Sequence, residues 1–86
     1  PGRRRSQLKQ LLSENGPFVL FEAPHRILKT LKELSLLASH RQIMLVRELT
    51  KVHEEIVFGS AEELIMTLSN RNKILGELAL LITGEK

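Results

Sequence analysis

Two short segments gather the groups that could move a proton or hold an anion. The first is Glu22-Ala23-Pro24-His25-Arg26; the second is Arg47-Glu48-Leu49-Thr50-Lys51-Val52-His53-Glu54-Glu55. Each joins an imidazole, a guanidinium and a carboxylate. Imidazole can take or give a proton near neutral pH, and guanidinium matches the geometry of phosphate and carboxylate. Against this stands the ordinary use of such residues, since charged segments at strand ends are usually just solvated. His25, His53 and Glu54 could ligate a metal, but no His-x-x-x-His pair sets two ligands on one helix face, so no metal site is expected. Thr50 and the serines lack a nucleophile elbow, and no glycine-rich phosphate loop occurs. A third feature is Arg3-Arg4-Arg5 at a helix start, where positive charge opposes the helix dipole unless an anion meets it.

The elements that must position these groups follow from apolar spacing. Leu8, Leu11 and Leu12 share one helical face, and Asn15-Gly16-Pro17 stops that helix, with Gly16 suited to a left-handed cap. Phe18-Val19-Leu20-Phe21 reads as a buried strand. Pro24 then opens a second helix, with Ile27, Leu31, Leu34 and Ala38 as its stripe. Ile43-Met44-Leu45-Val46 is apolar at every position, which is typical of a strand covered on both faces, as in a parallel sheet. Ile56-Val57-Phe58, closed by Gly59, is a third strand at an edge. Ser60 caps a third helix, with Glu63 completing a capping box, and Ala61, Leu64, Ile65 and Leu68 form its buried face. Residues 70–73 read as a polar loop before a last strand at Leu78–Ile82.

The order is α-β-α-β-β-α-β. It implies a layered α/β domain, with a mixed and mostly parallel sheet of about four strands flanked by three helices. Ligands of such sheets sit beyond the carboxyl ends of the strands. Both polar segments follow strands, so they are expected to converge on one crevice.

Composition sets the remaining bounds. Eighty-six residues support one small domain, residues 1–86, with a thin core. Cysteine is absent, which excludes disulfides, thiolate nucleophiles and zinc fingers. No apolar run approaches the roughly 20 residues of a membrane span. Residues 1–43 carry eight basic and three acidic side chains (net +5), and residues 44–86 carry five and seven (net −2). A basic first half points to a polyanionic partner, nucleic acid being the usual one. Aromatic residues make up only 3% of the chain, which argues against a base-stacking platform. The chain begins at Pro1 rather than Met, consistent with a fragment of a longer protein.

The two polar segments also carry a resemblance. Phe21-Glu22-Ala23-Pro24-His25-Arg26, followed by Thr30-Leu31, resembles the aromatic-Glu-Ala-Pro-His-Arg signature of the small-subunit ribosomal RNA ribose-2′-O-methyltransferase I family, within the tetrapyrrole methylase-like class. Arg47-Glu48-Leu49-Thr50-Lys51, followed by Glu54-Glu55, resembles that family's second signature. Gly59-Ser60 and Gly76-Glu77 stand at two further matching places. The resemblance runs from Pro1 to Lys86 and covers only the C-terminal domain. It implies the C-terminal half of a tetrapyrrole methylase-like fold, a missing N-terminal domain of the same protein, and a fragment inactive alone.

It further implies S-adenosylmethionine as methyl donor, a cytoplasmic homodimer and small-subunit ribosomal RNA as partner. The positions matching donor contacts are Phe21, Glu22, Ala23, Leu49, Thr50, Leu78 and Ala79. A flat adenine needs an apolar slot with a few backbone hydrogen bonds, which suits these residues. A ribose 2′-hydroxyl must lose its proton as it attacks the donor's methyl group. Glu48, His53 and Glu54 are the candidates for that proton. Arg3, Arg4, Arg5, His25, Arg26, Arg47 and Lys51 are the candidate RNA contacts. Glu48 or Glu54 could instead pair with Arg26 or Arg47 as scaffold. Two other readings stay open: a related methylase acting on a tetrapyrrole, and a basic RNA-binding module that catalyses nothing.

Overall fold

The computed structural model describes residues 2–50, 53–70 and 77–84, with the side chains of residues 48–50 and 53 outside that description. Its elements are α1 (Gly2–Ser13), β1 (Phe18–Glu22), a 3₁₀ turn (Pro24–Arg26), α2 (Ile27–Leu37), β2 (Gln42–Thr50), β3 (His53–Ser60), α3 (Ala61–Ser69) and β4 (Glu77–Ile82). This is the element order expected from the apolar spacing. Of the expected loop at residues 70–73, only Asn70 lies within the described residues.

The sheet order is β1-β4-β2-β3, and every pairing is antiparallel. The expectation of a mostly parallel sheet is therefore corrected. Continuous apolarity of Ile43–Val46 suggested cover on both faces, but the helices cover only one. On that side lie Leu20, Ile43, Leu45, Leu78, Leu80 and Ile82, all buried against Leu8 of α1, Ile27, Leu31 and Leu34 of α2, and Leu64 and Leu68 of α3. The opposite face keeps apolar residues in the open, with Val19, Phe21, Ile56 and Phe58 exposed. Each fully buried Leu or Ile contributes ~1.5–3 kcal/mol relative to an exposed one.

Local rules explain the boundaries. Beyond the end of α1, Asn15 takes the left-handed conformation at φ 62°, a role expected of Gly16; a short polar side chain tolerates that region. Arg41, buried at 3% exposure, donates to the carbonyls of Leu12 (3.0 Å) and Gly16 (3.2 Å) where α1 ends. It also donates to Thr83 O beyond β4 at 3.4 Å. A cation there satisfies orphan carbonyls and complements the helix dipole. The Ser60 capping box forms as expected: Glu63 N donates to Ser60 Oγ (3.2 Å) and Ser60 N donates to Glu63 Oε1 (2.8 Å). Gly59 suits the position beside it, because its φ of 157° is one that L side chains rarely adopt, and a Cβ there would also lie 3.0 Å from Glu63 Oε1.

Candidate functional site

β1 and β2 are each antiparallel to β4, so they run in one direction with β4 between them. Their carboxyl ends therefore reach the same end of the sheet, where β3 and β4 begin. The two polar segments do meet at one end, though not from adjacent strands.

Glu22 is the centre of the first segment. It is the last residue of β1 and points to the helix-covered side, with its side chain 4% exposed. A buried carboxylate is costly unless paired and hydrogen-bonded, and four groups meet this one. Thr30 Oγ1 from α2 donates to Oε2, and Arg4 from α1 lies 3.3 Å from the same oxygen. Ala23 N donates to Oε1 at 3.1 Å, and Arg26 Nε lies 3.7 Å from it. Glu22, Arg26 and Thr30 are spaced by four residues each, so the first signature is one polar network built along the chain. Arg5, in α1 beside Arg4, lies 3.4 Å from Glu33 of α2. These anions offset the repulsion between Arg4, Arg5 and the positive end of α1.

Two clefts open on either side of this network. One, of ≈ 550 Å³, is lined by Phe21, Glu22, Ala23, Pro24, Glu77 and Leu78. Its volume falls in the range of small-molecule sites, and most of its lining is apolar. The other, of ≈ 340 Å³, is lined by Arg3, Arg4, Gln7, Glu22 and Arg26, three guanidiniums against one carboxylate. A further cleft of ≈ 230 Å³ shares Phe21, Glu77 and Leu78 with the first and adds Val46, Glu54 and Ala79. Phe21, Glu22, Ala23, Leu78 and Ala79 are thus brought together around connected clefts. Pro24 and Glu77 also line them. His25 is exposed in the 3₁₀ turn.

The second segment is built differently. It was expected as a loop after a strand, but Arg47–Thr50 belong to β2 and His53–Glu55 to β3, paired as a hairpin. Arg47 faces the covered side at 8% exposure, and its NH2 lies 2.9 Å from Glu55 Oε1, its cross-strand neighbour. The carboxylates that pair with Arg26 and Arg47 are therefore Glu22 and Glu55. Glu54 is exposed and borders the smallest cleft. The side chains of Glu48, Leu49, Thr50 and His53, and all of Lys51 and Gly76, lie outside the described residues.

Sequence reasoning missed Thr30, Arg41 and Glu55 as partners. Thr30 had a signal, since it stands inside the first signature at four residues from Arg26. Arg41 and Glu55 had none, because their partners are set by the fold. No group of three or more potential metal ligands occurs among the described residues. No helix among them is long and apolar enough to cross a membrane.

Comparison with known proteins adds a family to this geometry. Residues of the chain are 40% identical over 73 positions to ribosomal RNA small subunit methyltransferase I of Hydrogenobaculum sp., covering 85% of the chain and 32% of that protein. The Thermotoga maritima protein of the same name is 36% identical over 83 positions, 96% of the chain and 37% of its own length. The Helicobacter pylori protein is 39% identical over 75 positions, 87% and 26% respectively. The chain is homologous to one part of ribosomal RNA small subunit methyltransferase I. It spans about a third of the length of these relatives. No family model matches it.

Proposed function

We propose that this chain is the C-terminal, donor-binding part of an S-adenosylmethionine-dependent enzyme that methylates a ribose 2′-hydroxyl of small-subunit ribosomal RNA. The observation that carries the reading is the ≈ 550 Å³ cleft formed by the first signature itself, Phe21 to Pro24, against the start of β4. Its chemistry fits an adenosyl group: Phe21 offers an exposed ring for a flat base, and Ala23 and Leu78 keep the walls small and apolar. The donor, when bound, supplies an electrophilic methyl on a sulfonium. Glu22 holds the Phe21–Ala23 backbone in place through its four partners. Leu49, Thr50 and Ala79 complete the proposed contacts.

Glu54 is the candidate proton acceptor whose side chain opens on the clefts; Glu48 and His53 stand beside it in the hairpin register. Arg3, Arg4, Arg5, His25 and Arg26, with Lys51, are the proposed RNA contacts. Arg47 is assigned chiefly to the scaffold because Glu55 already holds it. The proposal includes a cytoplasmic setting, a further N-terminal domain and pairing of two copies.

The test is titration of the intact protein with S-adenosylmethionine. Ala23→Leu is expected to raise Kd at least tenfold by filling the cleft, with the fold unchanged by circular dichroism. An unaltered Kd in that variant overturns the assignment of the cleft. A second reading, an RNA-binding module without catalysis, is favoured by the three-arginine cleft alone. RNA affinity that falls steeply with salt, in an intact protein that binds no donor, would establish it.

A further inference from the structure

The outer surface of the helical layer holds a further cleft, outside the site already described. It lies between α2 and α3, has a volume of ≈ 300 Å³, and is lined by Leu28, Lys29, Lys32, Ile65 and Ser69. Leu28 is 37% exposed and Ile65 is partly buried against the core, so the floor is apolar. Lys29 and Lys32 are exposed. Neither ammonium has a hydrogen bond or ion pair among the described residues. Lysine stems often cover apolar surface with the charge left in water, but here two observations call for an anion.

The first is position. Lys29 stands in the first turn of α2, which contains no acidic residue, and a cation there opposes the helix dipole. The second is continuity. Arg26, directly before α2, is followed by Lys29 and Lys32 at three-residue intervals, a spacing that sets neighbouring Cβ atoms ~5–6 Å apart on a helix. Arg26 lines the three-arginine cleft, and the two lysines line this one, so a row of cations joins the clefts. Glu22 and Glu33, the carboxylates of β1 and α2, are already held by Arg4, Arg26 and Arg5. Those of α3, Glu62 and Glu63, stand in its first turn, whereas Ser69 of the cleft ends it.

We propose that this cleft is a second RNA subsite, in which an unpaired nucleotide seats its base against Leu28 and Ile65 while Lys29 and Lys32 hold the phosphates on either side. Resting on the RNA reading above, the subsite extends the path of the strand beyond the arginine cleft. An apolar floor is a poor seat for a phosphate and a good one for the face of a base. Paired bases cannot reach such a floor, whereas unstacked ones in loops and single strands can. Aliphatic walls grip a base less than an aromatic platform does, so the lysines carry most of the affinity. Ser69 supplies one hydroxyl, able to donate or accept; the subsite therefore selects an unpaired nucleotide rather than a particular base. Across the two clefts the cations outnumber the apolar residues, which favours a polyanion over an acidic amphipathic peptide.

The experiment measures binding of the intact protein to unmodified small-subunit ribosomal RNA over a range of salt concentrations. Lys29→Ala and Lys32→Ala are each expected to weaken binding severalfold and to make the salt slope shallower by about 1, with donor Kd unchanged. Lys9→Ala removes the same charge from an exposed position that lines neither cleft, and should leave the slope as it is. Ser69→Leu fills the cleft without altering its charge. It should weaken binding of an oligouridylate severalfold and leave binding of an RNA duplex of equal length unaffected. Wild-type slopes in both lysine variants overturn the proposal. So does an equal change in Lys9→Ala, which would make the effect one of net charge. Unaltered oligouridylate affinity in Ser69→Leu overturns the seat for the base. A loss seen with assembled small subunits but not with naked RNA gives the cleft to a protein partner and overturns the RNA occupant. An intact protein that binds the donor but no RNA overturns the underlying reading, and the subsite with it.

Discussion

The two signature segments use the same side chains for different ends. At the end of β1, Glu22 gathers Arg4, Arg26, Thr30 and its own neighbour's N–H, and the backbone so fixed forms the wall of a cleft. In the hairpin, Arg47 and Glu55 meet across two strands, and neither lines any of the clefts described above. One network organises a surface for a ligand; the other fastens two strands. Residue type alone cannot tell these apart. What separates them is whether the partners converge from several elements on one exposed turn.

The comparison can be broken most easily at Glu22. Glu22→Ala removes a buried carboxylate with four partners, but Arg4 and Arg26 are partly exposed and can hydrate. The expected loss is therefore below the 3–5 kcal/mol of a fully buried pair, about 2 kcal/mol by urea unfolding, with donor affinity falling at least tenfold. Thr30→Val leaves the carboxylate short of one donor and should cost ~1–2 kcal/mol, with a smaller loss of donor affinity. Glu54→Gln should leave stability within about 0.5 kcal/mol of wild type, as for exposed sites. It should lower methyl-transfer kcat in the intact protein while donor Kd stays constant; an unchanged kcat removes Glu54 as proton acceptor.

The hairpin supplies the contrast. A double-mutant cycle on Arg47→Ala and Glu55→Ala should give a coupling of ~0.5–1 kcal/mol, because Glu55 is 31% exposed and partly screened. Donor Kd should not move. If it rises as far as in Glu22→Ala, the two segments form one site and the distinction fails. The smallest effect is expected at Arg5→Ala, whose ion pair is half exposed: stability within ~0.5 kcal/mol, but a salt slope for RNA binding shallower by about 1.

Much of this was readable from the chain. The stripes of α2 and α3, the Ser60 cap and the edge position of β3 follow from local spacing and local hydrogen bonds. The hairpin did not show, because Thr50-Lys51-Val52-His53 has neither the Asn-Gly nor the Asp-Gly pair that marks a tight turn. Strand direction did not show either. Ile43–Val46 is apolar throughout both for a strand covered twice and for one whose second face awaits a partner, and sequence offers no test between them. At the site, Phe21 to Arg26 were legible as a unit, yet the inward direction of Glu22 depends on the pleat and on Thr30 arriving from α2.

The place of β4 has a consequence for how the chain becomes folded. Among the described strands it comes last in sequence, yet it lies in the interior of the sheet, hydrogen-bonded to β1 on one side and β2 on the other. Until residues 77–82 emerge from a ribosome, β1 has no neighbour among the described strands, and the β2–β3 hairpin lacks the strand that covers its β2 edge. Pairing Phe18 with Ile82 then closes the loop between residues 18 and 82, a long-range contact of the kind that slows folding. Loss of those six residues would remove the strand that joins the two halves, leaving a hairpin and an orphan strand whose open edges invite aggregation.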